Sequence, residues 1–118
     1  MVGTDIIEIA RIAEAVKKES FVNKVFTAAE RVYYEKCGGN VQTYAGMFAA
    51  KEAVAKALKT GFNGIKHAEI EILHGESGAP YVKLKGQAAE IFKTTGKQSL
   101  EISISHCKEY ATAVCVIG

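Results

Sequence analysis

The chain has 118 residues, 48% of them hydrophobic and 24% charged. That balance excludes a disordered chain and predicts one domain over residues 1–118 with a single, modest core. Fifteen basic against thirteen acidic residues leave +2, which excludes an acidic tail and a strongly basic nucleic-acid arm.

A core this small cannot enclose a deep cavity, so an active site is expected in a surface cleft or between subunits. The three cysteines, Cys37, Cys107 and Cys115, lie far apart and form no CxxC. A disulfide framework or zinc site is therefore not expected, and a reduced, cytoplasmic setting is. Asp5 interrupts the only apolar stretch near the start, so no signal peptide is read there. The run from Tyr110 to Ile117 is too short to span a bilayer.

In chain order, Val2 to Glu8 reads as a strand feeding a helix, in which Ile9, Ile12, Ala13 and Val16 fall at helical spacing. Thr27 and Glu30 form a capping box for a second helix ending near Gly38-Gly39. Asn40 caps a third, longest helix that Gly61 can close. Its many alanines predict close packing against another backbone. The period then changes to alternation. Ala68, Ile70 and Ile72 predict one strand, and Val82 and Leu84 a second, across the turn from Gly75 to Pro80. Gln87 to Thr95 reads as a short helix stopped by Gly96. Leu100, Ile102 and Ile104 predict a strand that turns at Cys107-Lys108-Glu109 and pairs with Tyr110–Ile117. The expected class is α+β, with a mostly antiparallel sheet packed against the long helix.

Asp5 is unusual inside an otherwise apolar strand. A buried carboxylate is costly unless it is paired, binds a metal, or caps the next helix. Glu8 suits the helix start. On the long helix, Phe48, Glu52 and Lys56 are spaced by four and share a face. Glu52 can be an ordinary solvated ion pair with Lys51 or Lys56. It can also be a carboxylate beside an ammonium, able to hold metal and phosphate together. From Lys51 to Lys66 four lysines face one glutamate, a local +3 that suits a phosphorylated ligand near Thr60-Gly61. His106 closes a strand at a sheet edge. Ser105 beside it points to the other face, so a Ser/His hydrolase pair is not expected, and no G-x-S-x-G elbow is present. His67 and His74 are expected at the surface. Two rival readings remain open on these features: a non-catalytic module that binds a phosphorylated nucleotide, and a protein that only docks an acidic partner.

Three segments together resemble the 4′-phosphopantetheinyl transferases. They are Gly3-Thr4-Asp5-Ile6-Ile7-Glu8-Ile9-Ala10-Arg11, Phe48-Ala49-Ala50-Lys51-Glu52-Ala53-Val54-Ala55-Lys56-Ala57 and Ser103-Ile104-Ser105-His106. Their order and the short chain are similar to the holo-acyl-carrier-protein synthase branch. The resemblance implies transfer of phosphopantetheine from coenzyme A to a serine of acyl carrier protein, in support of fatty acid biosynthesis. It implies Mg²⁺ on Asp5 and Glu52, with Glu52 and Lys56 catalytic. Phe48, Lys56, Thr60, Gly61, Ser105 and His106 would contact coenzyme A. Arg11, Lys18 and Lys24, on a basic first helix, would meet the acidic carrier protein. The family likeness further implies a homotrimer with sites between subunits, so that Glu52 and His106 of one site come from different chains. Lys51 would touch pantetheine or the adjacent subunit. Met47 stands where many relatives carry arginine, and Lys59 where glycine is common; Lys59 is expected to restore the missing charge.

Overall fold

A computed structural model describes all 118 residues. Its elements run β1 (Val2–Glu8), α1 (Ile9–Ala15), α2 (Glu19–Val25), α3 (Ala28–Lys36), α4 (Val41–Ala57), a 3₁₀ turn (His67–Glu69), β2 (Ile70–His74), β3 (Pro80–Leu84), α5 (Gly86–Thr94), β4 (Leu100–His106) and β5 (Tyr110–Ile117).

The strands form two antiparallel sheets rather than the one expected. β5 lies between β1 and β4, and β2 pairs with β3 in a separate hairpin. The long helix α4 crosses the three-stranded sheet, and its alanines make the crossing close. Ala49, Ala50, Ala53, Ala55 and Ala57 are all fully buried. At the β1 end, a Cβ on Gly3 would lie 2.0 Å from the carbonyl oxygen of Ala53. Only glycine lets the strand sit that near the helix backbone. At the β4 end, a Cβ on Gly46 would meet Ile104 at 3.0 Å. The helix therefore runs diagonally, from β4 near its start to β1 near its end.

Both predicted caps form. Thr27 and Glu30 make the reciprocal capping box of α3, and the Asn40 side chain accepts from the Gln42 N–H. Three expectations need correcting. The first helix is broken in two, because Lys18 is extended at φ −94° and ψ 114° before α2 begins. α2 exists because Phe21, Val22 and Val25 give it one apolar side. α4 stops at Ala57 instead of reaching Gly61: Lys59 is left-handed at φ 65°, its N–H bonds to Lys56 O, and the Thr60 N–H returns to Ala55 O. Those two bonds make a Schellman stop. Finally, Ala68 lies in the 3₁₀ turn, and strict alternation fails in β2 because Glu71 is buried between the Thr27 hydroxyl and Lys85.

A buried ion pair locks these layers together. Lys51 Nζ lies 2.9 Å from Glu30 Oε1, and neither side chain is exposed. Lys51 also donates to the carbonyls of His67 and Ile70, at 2.9 and 2.8 Å. Glu30 accepts from the backbone N–H groups of Thr27 and Ile72. Burial pulls the Lys51 ammonium below its ordinary pKa, and the Glu30 charge and hydrogen bond oppose that pull. Lys51 is thus a structural pin within its own chain, not a group that reaches a ligand or a neighbouring subunit.

Candidate active site

The site starts from the pleat of β1. Gly3, Asp5 and Ile7 share the face turned to α4. Once Gly3 has admitted Ala53 and Ala57, Asp5 falls beside the outer edge of the helix. Its Oδ1 is 3.0 Å from Lys56 Nζ, which also donates to Thr4 O at 2.9 Å. The Asp5 side chain is 15% exposed and that of Lys56 is 51% exposed, so the pair sits on a rim. Asp5 does not cap α1; Glu8 holds the N-cap position, with no side-chain bond.

Glu52 lies one turn earlier on α4, but neither neighbouring lysine pairs with it. Its Oε1 faces His67 Nε2 at 3.4 Å. His67 is not the surface residue expected. Its ring stacks on Phe62 at 3.7 Å and lies 5.4 Å from the Phe48 ring. These groups line a cavity of about 440 Å³ whose other walls are Phe21, Val25 and Ile65, with Lys24 and Lys66 on its exposed edge. The cavity is apolar inside, acidic at Glu52 and basic at the edge.

Thr60 and Gly61 follow the end of α4 and lead into Phe62, with the Thr60 hydroxyl donating to Gly61 O. This is the C-terminal, carbonyl-bearing end of the helix, whose dipole repels anions. Attraction for phosphate must come from Lys56, Lys59 and Lys66, all exposed.

His106 and Ser105 are elsewhere. His106 shares the inner face of β4 with Ile104 and lines a separate cavity of about 230 Å³ with Gln42, Met47, Tyr33 and His74. Ser105 is exposed on the opposite face. Gly46, which faces β4, and Glu52 are separated by roughly 9 Å along the helix axis. One chain therefore divides the expected residues into two groups, with Asp5, Phe48, Glu52, Lys56, Thr60 and Gly61 toward one end of α4 and Ser105 and His106 toward the other. His74 also differs from expectation. It stacks on Tyr33 at 3.9 Å with Nδ1 buried and unpartnered, and burial lowers its pKa. Met47 is buried in the His106 cavity, while Lys59 is exposed beyond the far end of α4. Within one chain, Lys59 cannot put its charge where Met47 lacks one.

Arg11, Lys18 and Lys24 are all exposed but do not share a helix. Arg11 is on α1 beside Ile6, Glu8 and Tyr110, Lys18 is in the link, and Lys24 is on α2. No group of three or more His, Cys, Asp or Glu side chains converges on a metal-binding point. Asp5 and Glu52 supply only carboxylate oxygens, and from two residues. That donor set suits Mg²⁺, which keeps water and substrate phosphates as its remaining ligands.

A family model described as the 4′-phosphopantetheinyl transferase superfamily matches residues 1–115. The chain belongs to that superfamily. Two holo-[acyl-carrier-protein] synthases are among its similar relatives. The protein of Fusobacterium nucleatum is 43% identical over 98% of this chain and 96% of its own. That of Ruminiclostridium cellulolyticum is 46% identical over 100% and 91%. The crystal structure of Helicobacter pylori holo-[acyl-carrier-protein] synthase in complex with coenzyme A superposes with a TM-score of 0.88, at 36% identity and full coverage of both chains.

Two parts of this transferase's site escape the sequence. His67 and Phe62 carry no motif, although an aromatic and a histidine just beyond the glycine turn are a weak signal. Spacing puts Lys56 on the face of Glu52 and Lys51 off it, but does not show that Lys51 is buried against Glu30.

Proposed function

We propose that this chain is a holo-acyl-carrier-protein synthase. It moves phosphopantetheine from coenzyme A to a serine of apo-acyl carrier protein and releases adenosine 3′,5′-bisphosphate, in support of fatty acid biosynthesis. The observation that carries this reading is the Asp5–Lys56 ion pair on the β1–α4 seam of a superfamily member, with Glu52 one helical turn before Lys56 and facing His67. The serine oxygen bonds to the β-phosphorus of coenzyme A, and the bond from that phosphorus to the bridging oxygen breaks. Asp5 and Glu52 are the residues that would hold Mg²⁺. The ion, when bound, would neutralise pyrophosphate charge.

The chain's own groups do the rest. Lys56 is half exposed on the rim and can exchange its contact with Asp5 for an oxygen of the departing phosphate. Glu52 is the carboxylate left to receive the serine proton, through water. Phe48 and Phe62 give an apolar wall against which pantetheine can lie. Thr60 and Gly61 are proposed for the nucleotide end, with Ser105 and His106 contributed by another copy. The outer face of the three-stranded sheet favours such an assembly. Val2, Ile6 and Val116 are 62%, 65% and 48% exposed there, and paired strands bring Thr4, Thr112, Val114 and Ser103 among them. Three copies joined through this face form the homotrimer we propose. Arg11, Lys18 and Lys24 then offer positive charge to an acidic carrier protein, an attraction that weakens with salt. Three unpaired cysteines suit work in the cytoplasm. No helix is long and apolar enough to cross a membrane.

The test is a mass measurement. Apo-acyl carrier protein incubated with this protein, coenzyme A and Mg²⁺ should gain one phosphopantetheine. Coenzyme A binding with no gain on any carrier protein tried would make the chain a binding module instead.

A further inference from the structure

Residue 67 is held by two consecutive residues of α4. Lys51 donates to its backbone carbonyl at 2.9 Å, and Glu52 Oε1 lies 3.4 Å from its ring Nε2. The backbone contact is rigid, because Lys51 is itself buried and tied to Glu30 and Ile70 O. The ring is rigid as well. It lies nearly parallel to Phe62, at 11°, and to Phe48, at 18°. Two aromatic rings fix the plane of the imidazole, so its edge is what meets the carboxylate. Glu52 is a long side chain that an open helix face would leave free to change rotamer. Here one of its oxygens is fixed by a ring that cannot follow it.

We propose that His67 is a positioning residue for Glu52. The Nε2–H donates to Oε1, fixes the carboxylate toward the cavity, and leaves the second oxygen for Mg²⁺ or for the serine proton. A partner of this kind orients a metal-holding carboxylate without touching the substrate. The inference rests on the function proposed above.

His67→Phe keeps the aromatic stack and removes Nε2. Its kcat should fall roughly tenfold or more, and its affinity for Mn²⁺, measured on the protein without coenzyme A, should weaken by a similar factor. KM for coenzyme A should stay within about twofold, because the aromatic wall is intact. His67→Gln offers an amide N–H at a similar reach and should recover most of the lost kcat. In ¹⁵N-histidine NMR of the metal-free protein, the neutral ring should carry its proton on Nε2, and Glu52→Gln should shift that signal. A His67→Phe protein with full kcat and Mn²⁺ affinity, or a proton on Nδ1, overturns the proposal. If His67→Phe does not fold, the glutamine variant and the wild-type spectrum decide. If the wild-type protein transfers nothing, the proposed function fails by itself, and the NMR and Mn²⁺ measurements still decide whether His67 positions Glu52.

Discussion

Two lysines on one helix face two carboxylates in this molecule, and the pairs have opposite uses. Lys51 and Glu30 are wholly buried, and every oxygen and proton around them is engaged with α3, β2 or the 3₁₀ turn. Lys56 and Asp5 are bonded at a similar distance, but on a rim where the lysine is half exposed. The first pair has no freedom to exchange partners, because any partner lost inside the protein leaves an uncompensated charge. The second can open at its lysine end, since water can solvate the half-exposed ammonium. The same chemical pair becomes a pin or a movable group according to depth alone. The transition between the two happens within little more than one helical turn.

Breaking each pair should therefore read out differently. Lys51→Ala leaves a buried glutamate without its main partner and two backbone carbonyls without a donor. It should cost about 3–5 kcal/mol of stability in urea unfolding. A loss below 1 kcal/mol would mean that water enters the site and that the pair is no pin. At the rim, Asp5→Ala or Glu52→Ala should lower phosphopantetheine transfer by about 10²–10³-fold while the protein stays folded by circular dichroism. Lys56→Ala belongs to the same class with a smaller effect. Its stability should change by under about 1 kcal/mol, and its transfer rate should still drop at least roughly tenfold. Full activity in either carboxylate variant would remove both metal assignments from this seam.

The contrast also explains what could be read from the sequence. Period and caps gave most element positions, since Thr27, Asn40 and the alternating strands act locally. Asp5 stood out because a charge amid apolar neighbours violates a local rule. Lys51 and Glu71 violate nothing locally, each looking like an ordinary charged residue of a solvated face, and Glu30 is legible as a cap but not as a buried ion-pair partner. Their burial depends on which distant elements close over them, and spacing does not encode that. His67 escaped for the same reason, since its partners Phe48, Glu52 and Phe62 converge only after α4 ends and the chain turns back. The break between α1 and α2 was hidden differently: the two helices are 7 residues each, too short for a clear period. The division of the site residues between two ends of α4 is likewise not legible in spacing, because it depends on how β1 and β4 cross the helix.

The end of α4 offers the finest version of this comparison, since there one lysine has no partner at all. Lys59 is the only non-glycine residue with positive φ, at 65°, in the position that closes the Schellman turn. Its side chain is exposed and forms no ion pair, so nothing local offsets the backbone strain. Lys59→Gly should therefore stabilise the protein by about 0.5–1 kcal/mol in urea unfolding, the gain from relieving a left-handed residue less the entropy glycine adds to the unfolded chain. A neutral or lower stability would show that the lysine stem contributes packing across the turn. If the stabilised variant binds coenzyme A as tightly as the parent, the charge at 59 plays no part in the site. If it binds more weakly, the strain is retained because the ammonium serves the phosphates beyond Thr60-Gly61, the role proposed for Lys56 at the seam.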